Sequence, residues 1–154
     1  MNKPAVFSIM TVLLIVSCMI SAKTSRAQSI NLQFRFVCDS ACSSYEKFIL
    51  RNTGKEYLLS ENIEIDQDDV EYARAERDEY GSNSIFIQLD KNGAEKLSVL
   101  TAEENHNRKV GIINDSDLVT VAVIKVHVTN GKAMIKGDFT AEDVRDIVKR
   151  INGE

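Results

Sequence analysis

The chain has 154 residues, of which 44% are hydrophobic, 27% charged and only 6% aromatic, with one Pro and no Trp. This composition excludes wholesale disorder, a collagen-like fibre and a polytopic membrane protein, and the length suits one ordinary domain. Twenty-three acids against 19 bases give a net charge of −4, which argues against a nucleic-acid-binding face.

The amino end has a basic start, Met1-Asn-Lys-Pro4, an apolar stretch from Ala5 to Ile20, and a small-residue exit, Ser21-Ala-Lys-Thr-Ser-Arg-Ala27. These are the three parts of a secretory signal, and the apolar run is shorter than the ~20 residues that span a bilayer. Cleavage between Ala27 and Gln28 is the leading expectation. Ile15-Val16-Ser17-Cys18 resembles a lipobox, which would end the signal at residue 17 and place a lipid on Cys18. Retention as a single anchor is the third fate. Each delivers the remainder to a periplasmic or secreted location. Loss of residues 1–27 removes Lys3, Lys23 and Arg26 and no acid, leaving 16 bases against 23 acids, a net −7. Such a surface is soluble and is not drawn to anionic lipid headgroups.

Ile30, Leu32, Phe34 and Phe36 alternate with polar residues, the period of a half-buried strand. Cys38 and Cys42 follow as an even pair, and an oxidising compartment favours a structural disulfide between them. A chain-entropy estimate for so small a loop is ~2 kcal/mol. Free thiols, a redox pair or half a metal site are the alternatives. The redox motif spaces its cysteines by two residues, and no second Cys/His pair follows at zinc spacing. Tyr45 to Leu50 and Glu56 to Leu59 read as strands around a turn at Asn52-Thr-Gly54. Asp66 is expected to open a short helix with Val70 and Ala73 on one face and Gly81 beyond its end.

Ile85, Ile87 and Leu89 alternate as a strand, and Asp90 caps a helix carrying Ala94, Leu97, Leu100 and Thr101. Val110 to Ile113 and Leu118 to Val128 are β-branched strands joined by Asn114-Asp-Ser-Asp117. Asn130-Gly131 predicts a type I′ hairpin pairing the strand that ends near Val128 with Lys132 to Ile135. Thr140 caps a last helix with Asp143 three residues on, a stripe of Val144, Ile147, Val148 and Ile151, and Gly153 beyond. The order predicts an α+β fold, a mainly antiparallel sheet with helices packed on one face.

Several segments carry a resemblance. They are Ile65-Asp-Gln-Asp-Asp-Val70 with Ala73; Ile85-Phe-Ile-Gln-Leu89 with Gly93, Leu97 and Thr101; Gly111-Ile-Ile-Asn-Asp115; Leu118-Val-Thr-Val-Ala-Val-Ile124; and Ile135-Lys-Gly-Asp-Phe-Thr-Ala-Glu-Asp-Val144. From about Tyr57 to Gly153 the chain resembles the head subdomain of the first periplasmic domain of SecD/SecDF, the membrane-embedded accessory of the bacterial protein-export machine. Asp115-Ser116 stands where that family has Asp-Gly. The family runs on into six transmembrane helices whose intramembrane ionisable groups drive its motor. A chain ending at Glu154 is therefore expected to be a stand-alone head, which contacts polypeptide and moves as a rigid unit. The expected division is a signal at 1–27, an amino-terminal extension at 28–56 holding Cys38 and Cys42, and the head at 57–154.

Candidate chemistry is sparse. His106 follows Glu103 at i+3 and His127 sits on an expected strand, but two His without a third ligand do not make a metal site. Residues 61–79 hold nine acids against Arg74 and Arg77. Asp66-Gln-Asp68-Asp69 lacks the Gly and distant Glu of a calcium loop, and reads as an acidic surface with potential to dock basic peptide. No nucleophile elbow, phosphate loop or zinc-protease helix occurs. The expectation is a non-enzymatic module without cofactor that binds polypeptide or an envelope protein by edge-strand addition. Phe34, Phe36 and Tyr45 are its candidate contacts, and the export machinery is a candidate partner. A lipoprotein of structural or immunity type and a metal-dependent hydrolase stay open beside it.

Overall fold

The structure, a computed structural model, describes residues 32–39 and 42–154. Cys18, Ala27 and Gln28 lie outside the described residues. In chain order the elements are β1 (Leu32–Phe36), β2 (Tyr45–Ile49), β3 (Glu56–Ser60), β4 (Ile65–Asp66), a 3-10 turn (Gln67–Asp69), β5 (Val70–Arg77) and β6 (Asn83–Leu89). Then come α1 (Lys91–Leu100), a second 3-10 turn (Glu103–Asn105), β7 (Lys109–Asn114), β8 (Asp117–Val123), β9 (Lys132–Lys136) and α2 (Ala141–Ile151).

The α+β class and the antiparallel pairing are as expected. The strands form three sheets rather than one: β4-β1-β7-β8, the hairpin β2-β3, and β5-β6-β9. β1 lies between β4 and β7, so residues ahead of 57 contribute to the same core as those after it. β7 is buried at five of its six residues because it is covered on both faces. One face, with Phe34, Val110 and Ile112, joins the main core; the other, with Ile113, packs against Leu59 and Leu118 beneath the β2-β3 hairpin. Gly111 permits that second layer, since a Cβ there would lie 2.8 Å from both methyls of Leu59. The main core gathers Ile85, Ile87 and Leu89 of β6, Leu97 and Leu100 of α1, and Val144, Ile147 and Ile151 of α2.

Both helices begin as the caps predict. The Asp90 carboxylate accepts from Gly93 N–H at 2.7 Å. Thr140 and Asp143 form a reciprocal capping box, with Asp143 N–H donating to Thr140 Oγ1 at 3.1 Å and Thr140 N–H to Asp143 Oδ2 at 3.0 Å. Thr140 hydroxyl and amide donors hold the Asp143 carboxyl below the usual carboxylate range, against the effect of its partial burial, and Arg51 adds to this.

Two expectations are corrected. Asp66 does cap, accepting from Asp68 N–H at 2.9 Å, but it closes only the single 3-10 turn, and the chain leaves that turn as β5. The Ala, Glu and Arg residues of β5 favour a helix locally; pairing with β6 from Val70↔Leu89 to Arg77↔Asn83 overrides that preference. The strand expected over Leu118 to Val128 stops at Val123, and β9 pairs with β6 instead of with it. A type I′ turn needs positive φ at both central residues. Gly131 has φ +66°, but Asn130 is not among the positive-φ residues. Residues 124–128 leave the ladder, and Val128 N–H donates to the Thr101 hydroxyl at 2.8 Å.

Candidate functional site

β5 is the outer strand of its sheet, and the direction of its backbone groups follows from its partners. Asp78 N–H donates to the Ser82 carbonyl at 2.9 Å, and Ser84 Oγ donates to the Glu76 carbonyl at 3.4 Å. Ladder pairs alternate along an antiparallel strand, so Ala73, Ala75 and Arg77 turn their N–H and C=O groups away from β6. At Ala73 both groups are taken by one side chain. Ala73 N–H donates to Asn152 Oδ1 at 2.8 Å, and Asn152 Nδ2 donates to the Ala73 carbonyl at 2.9 Å. An amide stands in for a further strand there and blocks the edge. At Ala75 and Arg77 the edge is open among the described residues.

α2 runs antiparallel along this edge. Its carboxy end is fixed by Asn152 at Ala73 and by Gln67 Nε2, which donates to the Ile151 carbonyl at 3.1 Å. Its amino end is fixed where Asn83, the partner of Arg77, donates from Nδ2 to the Phe139 carbonyl at 3.0 Å. Between helix and strand lies a groove of about 410 Å³ lined by Ala75, Arg77, Ala141, Val144, Arg145 and Lys149 among others. The alanines leave the space open.

The groove is positively charged. Among the described residues no carboxylate lies within ion-pair distance of Arg77, Arg145 or Lys149. The acid that also lines it, Glu76, accepts from Arg74 Nε at 2.7 Å and is thereby balanced. Of the acids of α2, Asp143 bonds Arg51 at 3.0 Å, and neither Glu142 nor Asp146 lines the groove.

The base of β5 is held by Asp69, which is 2% exposed. Its carboxylate accepts from Lys96 Nζ at 2.7 Å, Asn92 Nδ2 at 2.7 Å and Asp66 N–H at 3.0 Å. Burial pushes this carboxyl up, but Lys96, Asp66 N–H and Asn92 together outweigh burial and hold it below the usual range. The same bond to Asp69 raises Lys96. By sequence Asp69 belongs to a solvated acidic face; only the packing of α1 on the 3-10 turn buries it.

The other expected residues are scattered. Phe34 and Phe36 are buried, and Arg108 lies over the Phe36 ring at 3.6 Å, so neither is presented to a partner. Tyr45 is 56% exposed on β2. Cys38 and Cys42 are bonded, with Cα atoms 5.6 Å apart. His106 bonds the neighbouring Asn107 side chain, and His127 Nε2 lies 2.9 Å from Ser98 Oγ on the surface. Among the described residues no carboxylate orients that Ser-His pair, and no three His, Cys, Asp or Glu converge as a metal site. A second, more apolar opening of about 180 Å³ lies between α1 and the ends of β8 and β9, beside exposed Val126 and Met134. The parity of β5 was illegible in the sequence, because the segment read as helical; the cue was the alternation of Tyr72, Arg74 and Glu76 with Ala73, Ala75 and Arg77.

The family model described as SecDF, P1 head subdomain, matches residues 43–153. Protein translocase subunit SecD of Calditerrivibrio nitroreducens is 32% identical over 63 residues, covering 41% of this chain and 12% of that protein. Protein translocase subunit SecDF of Thermus thermophilus is 29% identical over 79 residues, covering 51% and 11%. The crystal structure of SecDF in its super-membrane-facing form shares the fold with a TM-score of 0.65 at 20% identity, over 81% of this chain and 19% of that one. A structure of SecDF described as a membrane component that enhances protein export gives 0.64 at 22% identity, over 81% and 63%. By the match over residues 43–153, the chain belongs to the SecDF P1 head subdomain family.

Proposed function

We propose that this chain is an exported, non-enzymatic head module that binds extended polypeptide, an export client or an envelope protein, in association with the protein-export machinery. The observation that carries this reading is the open half of the β5 edge, where two residues present unpaired backbone groups beside a groove. An extended chain added there gains main-chain hydrogen bonds whatever its sequence. The SecD and SecDF relatives, named as translocase subunits, support the export context. The Cys38–Cys42 bond suits an oxidising compartment. In this reading residues 1–27 are removed on export. Among the described residues no helix is long and apolar enough to cross a membrane.

The test is a photo-crosslinker placed in intact cells at Ala75, with Lys47 of β2 as the comparison site. Adducts with exported chains or translocase subunits from Ala75, and few from Lys47, support the proposal. Equal labelling from both sites, or none from Ala75, counts against it.

A further inference from the structure

The protein is acidic overall, yet the groove along β5 collects Arg77, Arg145 and Lys149, none of which has a carboxylate within ion-pair distance among the described residues, while the acid that shares the lining, Glu76, is paired with Arg74. Cations left unpaired beside a strand edge in an acidic molecule mark a ligand of the opposite sign. The spacing of the two on the helix is informative. Arg145 and Lys149 are four residues apart, which advances ~6 Å along a helix. Side chains on one face of a strand repeat every two residues, or ~6.6 Å. α2 lies along β5, because Asn152 is fixed at Ala73 and the start of the helix at Asn83. The two repeats therefore run side by side.

We propose that the groove takes an extended segment bearing two acidic side chains at i and i+2, added as a strand to Ala75–Arg77 with its carboxylates on Arg145 and Lys149. This rests on the strand-addition reading above and names the class of chain it selects. The backbone of the guest pairs with the outward groups of Ala75 and Arg77. Asn152 sets the register, because it occupies Ala73 and the added strand ends there. The guanidinium of Arg145 offers a carboxylate a two-point contact, and the ammonium of Lys149 takes the second as a point charge. The intervening guest side chain faces away from α2, which makes the preference one for acid-x-acid and not for a run of acids.

The test uses the purified protein and three fluorescent nine-residue peptides in which Thr alternates with Glu, with Gln or with Lys. At low salt the Glu peptide is expected to bind about tenfold tighter than the Gln peptide, as two partly exposed pairs allow, and the Lys peptide more weakly than either. Arg145→Gln with Lys149→Gln, both at exposed positions, should erase the Glu advantage while leaving Gln-peptide binding in place. Amide exchange at Ala75 and Arg77 should slow when the Glu peptide is bound. Equal binding of Glu and Gln peptides, or a Glu advantage that survives the double substitution, overturns the acidic preference and leaves strand addition standing. No slowing at Ala75 and Arg77 with any bound peptide, or no binding by any of the three, overturns both.

Discussion

Asp69→Ala tests how the base of β5 is held. The substitution removes a carboxylate that is 2% exposed and serves three donors. Lys96, whose side chain is 38% exposed, regains water, so that pair is worth ~1 kcal/mol at most. Loss of the bond to Asn92 costs ~1 kcal/mol, and loss of the capping bond to Asp66 N–H another ~1 kcal/mol. The expected destabilisation is therefore about 3 kcal/mol near neutral pH, read by urea unfolding followed by circular dichroism. The sign of its pH dependence follows from linkage. The folded-state pKa of Asp69 is depressed below 3.8, so its contribution is full above the unfolded pKa and is lost as pH falls through the folded one. The gap between parent and variant should narrow on acidification below about pH 4. A gap under ~1 kcal/mol at neutral pH, or one that acid leaves unchanged, would refute the assignment of Asp69 as a charged tie.

Gly93→Ala replaces a helical glycine, a change that elsewhere stabilises by up to ~1 kcal/mol. Here the new Cβ would lie 2.5 Å from the Asp69 carbonyl oxygen and 2.8 Å from its Cβ, so a loss of ~2 kcal/mol in urea unfolding is expected. Asn152→Ala leaves the buried backbone groups of Ala73 without partners, which should cost ~1–3 kcal/mol and speed amide exchange at Ala73. Thr140→Ala removes the cap of α2 and costs ~1 kcal/mol. Because Thr140 holds Asp143 below 3.8, that cost should shrink once acid protonates Asp143. Cys38→Ser with Cys42→Ser should lower stability by ~2 kcal/mol, and a reductant should bring the parent's thermal midpoint down to that of the variant.

Local chemistry was legible in the amino acids alone. Asp90, Thr140 and Asp143 announced their helices because a cap is settled within four residues, and Ile85, Ile87 and Leu89 announced β6 because alternation needs no distant partner. The α+β class follows from the order of such elements, and the family resemblance rests on residue runs such as Gly111-Ile-Ile-Asn-Asp115 and Ile135-Lys-Gly-Asp-Phe139. Pairing was not legible. Val70 to Arg77 is a strand only because β6 is available to it, Asn130-Gly131 leads into β9, which pairs with β6 and not with β8, and Phe34 and Phe36 are core because β1 lies between β4 and β7. The open edge and its cations depend on one further long-range event, the laying of α2 along β5 through Asn152. Short-range preferences act on neighbours in the chain, whereas strand partners and groove walls are chosen by burial among residues tens of positions apart, and that choice belongs to the tertiary structure.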